Sequence, residues 1–206
     1  IFGGYNVYSE PGGSAYDKLP RGLRRGIGHI AEKMPAHRGR NFLVRKGKDL
    51  EERFIGNAYM FTPEERKALL KIRTNAPDPM AITKPFYDKV QDQDDVTKMQ
   101  YLDLHMWMAG DILLKADKMS MANSLELRVP FLDKKVMELA EQIPTRYRVT
   151  REAVTDEKTP YITKYAMRLA AKKDTPPQTA KTAAKKKLGF PVPIRVWLKE
   201  DKSVSY

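Results

Sequence analysis

The sequence predicts a mainly α-helical chain. Apolar residues recur at helical spacing through most of its segments, whereas the alternation that is typical of strands is nearly absent. The 206 residues are 41% hydrophobic, which is enough for a packed core. No run of about 18 apolar residues predicts a membrane span. The absence of cysteine excludes disulfides and thiolate metal sites.

Short helices are predicted in the first half, after a loop marked by Pro-Gly-Gly. They are expected over 16–34 (interrupted by Pro20), 38–59 and 62–72. The start of the third is the clearest, because Thr62 can cap it and Pro63 suits its first turn. Residues 73–93 hold three prolines and several turn residues, so we expect a mostly irregular link with one short helix.

The longest helical pattern runs over 94–123, and Ala109-Gly110 is expected to divide it into two helices. Residues 145–158 are polar and are expected to be mobile. Further helices are predicted over 132–143, from Thr159-Pro160 onward, after Pro176-Pro177, and at the end of the chain after "LGFPVP".

Positive charge is concentrated at the two ends of the chain. Residues 1–48 carry a net charge of +7 and residues 159–202 carry +8, within a total of +12. Such flanks could contact a polyanion, or they could simply aid solubility. A basic helical nucleic-acid-binding module is therefore one alternative function. The stretch from Lys172 to Lys187 contains no aromatic residue, however, which counts against stacking on bases and makes nucleic acid an unlikely partner.

One apolar helical segment carries a narrow charged stripe. At about 100° per residue, Asp111, Lys115 and Lys118 share one face, and apolar residues occupy most of the remainder. Such a helix is expected to be buried on most sides, with its charges paired or lining a cavity. The alternative is a solvent-facing stripe with an Asp111–Lys115 pair that contributes about 0.3 kcal/mol.

A second basic pattern is the spacing of Lys164, Arg168 and Lys172, which places them on one face of a predicted helix. Like charges at this spacing repel one another, and a polyanion would relieve the repulsion. A solvated basic face is the alternative. The three histidines show no metal-ligand spacing, and no metal site is expected in this chain.

The string "GDILLKADKMSMANSLELRVPFLD" (110–133) resembles the C-terminal synthetase domain, of the ATP pyrophosphatase type, of glutamine-dependent asparagine synthetases. Three further motifs share the resemblance: "IFGGYN" at the start, "TKYAMR" (163–168) and "KKKLGFPVPIRVWL" (185–198). The resemblance covers nearly the whole chain, although 36–93 and 148–160 match only loosely.

This resemblance implies a fold and a domain organisation. The chain would be the helical C-terminal portion of a nucleotide α-hydrolase-like α/β domain, whose parallel sheet and ATP loop lie upstream. Residues 1–206 would form a partial synthetase domain, with a variable helical part (1–93) and a helical core that forms an active-site wall (94–206). The Ser-Gly-Gly-x-Asp-Ser phosphate loop of the family is not in this sequence. We therefore expect the chain alone to be inactive and to leave a large apolar face uncovered.

The implied activity is that of an ATP-dependent ligase. With ATP and Mg²⁺ it would adenylate the side-chain carboxylate of aspartate, and ammonia would then displace AMP to give asparagine. The ammonia would come from glutamine through an N-terminal glutaminase domain. A cytoplasmic location is expected, and a homodimer is an open alternative.

The resemblance also implies roles for particular residues. Lys164 matches the family lysine that contacts the pyrophosphate side of ATP. Asp111, Lys115, Asp117 and Arg128 would face or brace the acyl-adenylate site, with Arg128 folding back from its turn to pair with neighbouring acids. Arg168 is expected to pack or pair. Phosphate contacts are also implied for Lys186 and Lys187, although these could equally form an exposed run.

Two alternatives within the same fold stay open. One is a relative that acts on another carboxylate, such as a β-lactam-forming synthetase or another amidotransferase, since no residue clearly reads the substrate side chain. The other is a degenerate, non-catalytic synthetase. The presence of Lys164 and of an intact 110–133 string argues against such decay.

Overall fold

The computed structural model describes residues 1–11, 14–35, 37–57, 59–72, 75–151 and 161–185, together with 193, 196, 197 and 199. It confirms the prediction of a mainly helical chain. The chain divides into two compact units, Ile1–Ala166 and Met167–Tyr206. The predicted division at residue 93 rests on family resemblance and stays a prediction.

The first part of unit 1 is a series of short helices. They are α1 (Arg21–Lys33), α2 (Arg40–Gly47), α3 (Leu50–Arg53), α4 (Pro63–Leu69) and α5 (Pro79–Tyr87), with 3-10 turns at Asn6–Ser9, Ala15–Lys18 and Asp88–Val90.

Local sequence signals account for two of these helices. The Thr62 hydroxyl accepts a hydrogen bond from the Glu65 amide at 3.2 Å, and the Glu65 carboxylate accepts one from the Thr62 amide at 2.7 Å. This capping box starts α4 where it was predicted. The segment 73–93 is more helical than predicted, because Asp78 caps α5 and the helix continues through Pro85.

The long helical pattern forms one uninterrupted element. It consists of α6 (Asp95–Asp103), a π-helical stretch (Leu104–Leu113) and α7 (Leu114–Ala122). The predicted break at Ala109-Gly110 is therefore wrong. A single glycine costs a helix only about 1 kcal/mol, and the wider π turns keep the backbone helical across this point.

Beyond α7 the chain forms a 3-10 turn (Pro130–Leu132), α8 (Lys134–Gln142), α9 (Thr145–Arg148), β1 (Val149–Thr150), β2 (Ile162–Thr163), α10 (Tyr165–Asp174) and α11 (Pro177–Ala184). The strands are antiparallel, with Val149 opposite Thr163 and Thr150 opposite Ile162. The start of the segment expected to be mobile is thus ordered structure.

A helix was also predicted to begin at Thr159-Pro160. Those two residues lie outside the described ranges, but Ile162 and Thr163 are extended and α10 begins only at Tyr165. The lysine-rich helix after Pro176-Pro177 is α11, as predicted. Most of the predicted final helix lies outside the described residues.

The apolar core belongs to unit 1, where α6 packs against residues that precede it in the chain. Its buried members are Tyr8, Leu50, Phe54, Tyr87, Val96, Met99 and Leu102. The periodic residues of the long pattern supply three of these, so its helical period correctly indicated the buried face of α6.

The first two helices approach each other closely at a pair of glycines. A Cβ atom added to Gly28 would lie 2.9 Å from the Gly47 α-carbon, and one added to Gly47 would lie 2.8 Å from the Gly28 α-carbon. Both values are below any normal Cβ contact, so α1 and α2 can pack in this way only with glycine at both positions.

Candidate active site

The segment Ile1–Tyr5 is in contact with the long helical element and the turn that follows it. The Gln100 side chain donates a hydrogen bond from Nε2 to the Ile1 carbonyl at 2.9 Å. The indole Nε1 of Trp107 donates to the Tyr5 hydroxyl at 3.1 Å. The rings of Phe2 and Phe131 meet edge to face with centroids 6.2 Å apart, which links the segment to the Arg-Val-Pro-Phe turn.

Lys164, from the C-terminal part of the chain, also contacts the segment Ile1–Tyr5. The pairing of β1 with β2 places it directly after Thr163, in a left-handed conformation with φ of 55°. Its side chain is exposed, and its ε-carbon lies only 2.7 Å from the position that a Cβ of Gly4 would take. Lys164 therefore precedes α10, and the prediction that it shares a helix face with Arg168 and Lys172 is wrong for Lys164.

Arg148 anchors the sheet that carries Lys164. Its guanidinium donates to Gln100 Oε1 at 2.7 Å and to the hydroxyls of Thr97 and Thr145 at 2.9 and 3.1 Å. Because Gln100 also holds the Ile1 carbonyl, one hydrogen-bonded chain joins the start of the segment to the end of α9. Such a chain limits relative movement of the elements that flank Lys164.

Arg148, through Gln100, and Lys164, against Gly4, both bring positive charge close to the start of the segment. Burial lowers the pKa of Arg148, and the Asp94 carboxylate opposes that effect. Two cationic side chains near Ile1–Gly4 suit an anionic ligand.

A buried carboxylate that the sequence interpretation missed lies at the end of α6. Asp103 accepts hydrogen bonds from the Tyr8 hydroxyl at 2.5 Å, from the Asn57 amide at 3.2 Å, and from the Asn57 side chain. Burial raises the pKa of Asp103, and these hydrogen bonds oppose the rise. Burial also raises the pKa of Tyr8, and the neighbouring carboxylate adds to that effect. The helical period could have revealed Asp103, since it lies four residues after Met99 on the buried face.

The charged stripe on the long helix faces solvent in this chain. Lys115 Nζ lies 3.2 Å from Asp111 Oδ2, and Asp117 is exposed as well. Leu114 and Met119 are 49% and 61% exposed, so the prediction of burial on most sides is wrong for the chain by itself. No element of the described ranges covers this face. The structure therefore favours the alternative interpretation, a solvent-facing stripe with an exposed Asp111–Lys115 pair.

Arg128 pairs with an acid in its own turn, as predicted. Its guanidinium contacts the Glu126 carboxylate, and both side chains are exposed. Neighbouring apolar residues share this exposure, Phe131 at 57% among them. The turn and Lys164 are linked through Ile1–Tyr5, which contacts Phe131 through Phe2 and Lys164 through Gly4.

In unit 2, Arg168 holds the C-terminal end of α11. It donates hydrogen bonds to the carbonyl of Ala183 and, at 3.2 Å, to that of Lys185. Its predicted packing or pairing role is confirmed. The two phosphate-contact candidates, Lys186 and Lys187, lie outside the described residues.

The described residues contain neither a candidate metal site nor a candidate membrane span. No group of three or more His, Asp or Glu side chains there is arranged to bind a metal ion. In the same part of the chain, no helix has both the length and the apolar character needed to cross a membrane.

Comparison with known proteins defines the family. The sequence profile of the asparagine synthase family matches residues 1–204, so the chain belongs to this family. It is 45% identical over 203 residues to asparagine synthetase (glutamine-hydrolyzing) 1 of Bacillus subtilis, covering 98% of this chain and 30% of that relative. It is 41% identical over 201 residues to putative glutamine-hydrolyzing asparagine synthetases of Mycobacterium bovis and Mycobacterium tuberculosis, covering 97% of this chain and 29% of each relative.

The chain thus spans about 30% of the length of the curated relatives it matches. No solved structure matches it.

Proposed function

We propose that this chain is part of an ATP-dependent ligase that converts aspartate to asparagine. The observation that carries the proposal is the position of Lys164. This exposed lysine lies against Gly4, on a segment that also contacts the Arg-Val-Pro-Phe turn and the long helix. Family membership supports the reaction type, since the relatives are named as glutamine-hydrolyzing asparagine synthetases.

Lys164 would act in the adenylation step. A side-chain carboxylate oxygen of aspartate attacks the α-phosphorus of ATP, the bond to the bridging oxygen breaks, and pyrophosphate leaves with the electron pair. Negative charge on the leaving group grows in the transition state, where a preorganised ammonium stabilises it more than it stabilises the ground state. Ammonia then attacks the acyl carbon of β-aspartyl-AMP, releasing AMP and one proton and forming asparagine.

The described residues fit the anionic part of ATP better than its metal. Lys164 lies against Gly4, and Arg148 is linked to Ile1 through Gln100, so both bring positive charge near Ile1–Gly4. The described residues contain no carboxylate cluster suited to Mg²⁺. We propose that Mg²⁺, when bound, neutralises phosphate charge and is held by carboxylates of the full-length protein outside the described residues. Ammonia would be delivered from glutamine by a glutaminase domain of the full-length protein.

The exposed residues of the long helix would brace the wall of the acyl-adenylate site. Asp111 lies in the π-helical stretch, Lys115 and Asp117 lie on α7, and Arg128 follows α7. The surface around them carries half-exposed apolar side chains. Burial of this surface in the full-length protein would strengthen the electrostatic effect of these charges. Lys186 and Lys187 stay candidates for phosphate contacts.

The test is aspartate-dependent release of pyrophosphate from ATP and Mg²⁺ by the full-length protein and its Lys164→Ala variant. We expect a loss of roughly a hundredfold in the variant, as for removal of one preorganised charge contact. Lys172→Ala is the matched control, because Lys172 is also exposed and has no proposed role.

Two results would overturn parts of the proposal. Release that ignores aspartate would show that the protein activates another carboxylate. A Lys164→Ala variant as fast as the parent would show that Lys164 is a solvated surface residue.

A further inference from the structure

We infer that Gly4 is a positioning residue for the ammonium of Lys164, an inference that rests on the proposed role of Lys164 in adenylation. The outer part of the lysine side chain occupies the space that a side chain at position 4 would fill. The position of a Gly4 Cβ lies 2.7 Å from Lys164 Cε and 3.8 Å from both Cδ and Cγ. The absence of a side chain at Gly4 therefore leaves the space that the end of the Lys164 side chain occupies.

A methyl group at position 4 would displace the ammonium but would spare the fold. Ordinary van der Waals contact begins at 3.4 Å, and the 2.7 Å distance is 0.7 Å shorter than this limit. Lys164 Cε would therefore have to move by at least 0.7 Å. The amino nitrogen is bonded to Cε, so we expect it to be displaced as well. Because the atom that gives way is near the end of a flexible side chain, the backbone need not shift.

The neighbouring glycine gives a structural contrast. Gly3 has φ of +69°, and its added Cβ would lie 3.0 Å from both the Arg148 carbonyl oxygen and a Val149 methyl. A substitution there strains the backbone and presses on the sheet that carries Lys164. Gly4 has no such positive φ, so an alanine there is tolerated by the main chain.

This difference predicts separate consequences for catalysis and for stability. A displacement approaching 1 Å at a group that contacts the reacting phosphates can lower the rate by up to about a hundredfold. We expect Gly4→Ala to lower kcat for aspartate-dependent pyrophosphate release by about tenfold or more, with an unchanged melting temperature. We expect Gly3→Ala to lower the melting temperature.

The experiment is a double-mutant cycle in the full-length protein with Gly4→Ala, Lys164→Ala and the double variant. Pyrophosphate release and KM for ATP are measured for each. If Gly4 acts through Lys164, then Gly4→Ala costs nothing further once Lys164 has become alanine. Gly26→Ala is the control, because a Cβ at this exposed position in α1 meets no atom within 4 Å.

The outcomes distinguish this inference from the proposed function. Equal loss from Gly4→Ala in both backgrounds, or no loss in the parent, would overturn the positioning role while leaving Lys164 catalytic. A Lys164→Ala variant with full activity would instead refute the proposed catalytic role of Lys164, whatever Gly4→Ala does. A kcat loss that vanishes in the Lys164→Ala background, with normal melting, supports the inference.

Discussion

Replacing Lys46 by methionine tests the buried ionic cluster between α2 and the loop before α1. The residue is 3% exposed, and its Nζ lies 2.9 Å from the Glu10 carbonyl oxygen and from both carboxylate oxygens of Asp17. It also lies 3.4 Å from the Glu10 carboxylate. Methionine retains the apolar stem of the side chain but removes the charge and all these donors.

The magnitude follows from what is left unpaired. Removing one partner of a buried ion pair costs about 3–5 kcal/mol. Glu10 would keep its ion pairs to Arg53 at 3.1 Å and Arg45 at 3.8 Å, whereas Asp17 would keep only the Ser14 amide among its described partners. The lower end of the range applies, so we expect a loss of about 3 kcal/mol, a change of ~150-fold in an equilibrium constant.

Hydrogen exchange of the α2 amides in the full-length protein is the assay, because it reports the local free energy of opening. The matched control is Lys84→Met, which removes an exposed pair with Asp88 and is expected to change α5 protection only about twofold. If α2 loses less than about fivefold of its protection in Lys46→Met, the cluster does not stabilise the fold as we argue.

Two further predictions concern packing and pH. Gly28→Ala is expected to destabilise the protein by about 1–3 kcal/mol, because its Cβ would press on the Gly47 backbone. The control variant Gly26→Ala should have a melting temperature equal to or higher than that of the parent. Equal melting temperatures for the two variants would contradict the close approach of α1 and α2. Burial pushes the pKa of Asp94 upward, but hydrogen bonds from Thr97 and Thr145 hold it below its usual 3.8. Its contribution is therefore present above the unfolded pKa and is lost as pH falls through the lower folded pKa. In the Asp94→Asn variant, the melting temperature should fall less steeply than in the parent as the pH is lowered below about 4. An unchanged dependence of the melting temperature on pH would contradict this assignment.

Local signals in the sequence predicted individual helices well and their continuity poorly. The Thr62 capping box and the start of α11 after paired prolines depend on residues within one helical turn, and both were correct. The expected break at Gly110 failed, because a helix tolerates one glycine when the rest of its residues favour it. The short sheet was missed, since two-residue strands carry no visible alternation.

The candidate site shows the same division. The sequence singled out Lys164, the Asp111–Lys115 spacing and the turn at Arg128 through family resemblance and helical geometry. It placed Lys164 on a helix, whereas pairing between Val149 and Thr163 puts it just before one. The sequence likewise could not predict the exposure of α7, because burial of a helix depends on which other elements pack against it.

The sequence by itself therefore determined the helical class, the family and the residues that are candidates for chemistry. These rest on composition, on short-range periodicity and on motifs that are contiguous in the chain. Only the tertiary structure brought Gly4 against Lys164, paired Lys46 with Asp17, and buried Asp103 beneath Tyr8. Each of those contacts joins distant parts of the chain, and its formation depends on the combined packing of many elements that no local pattern encodes.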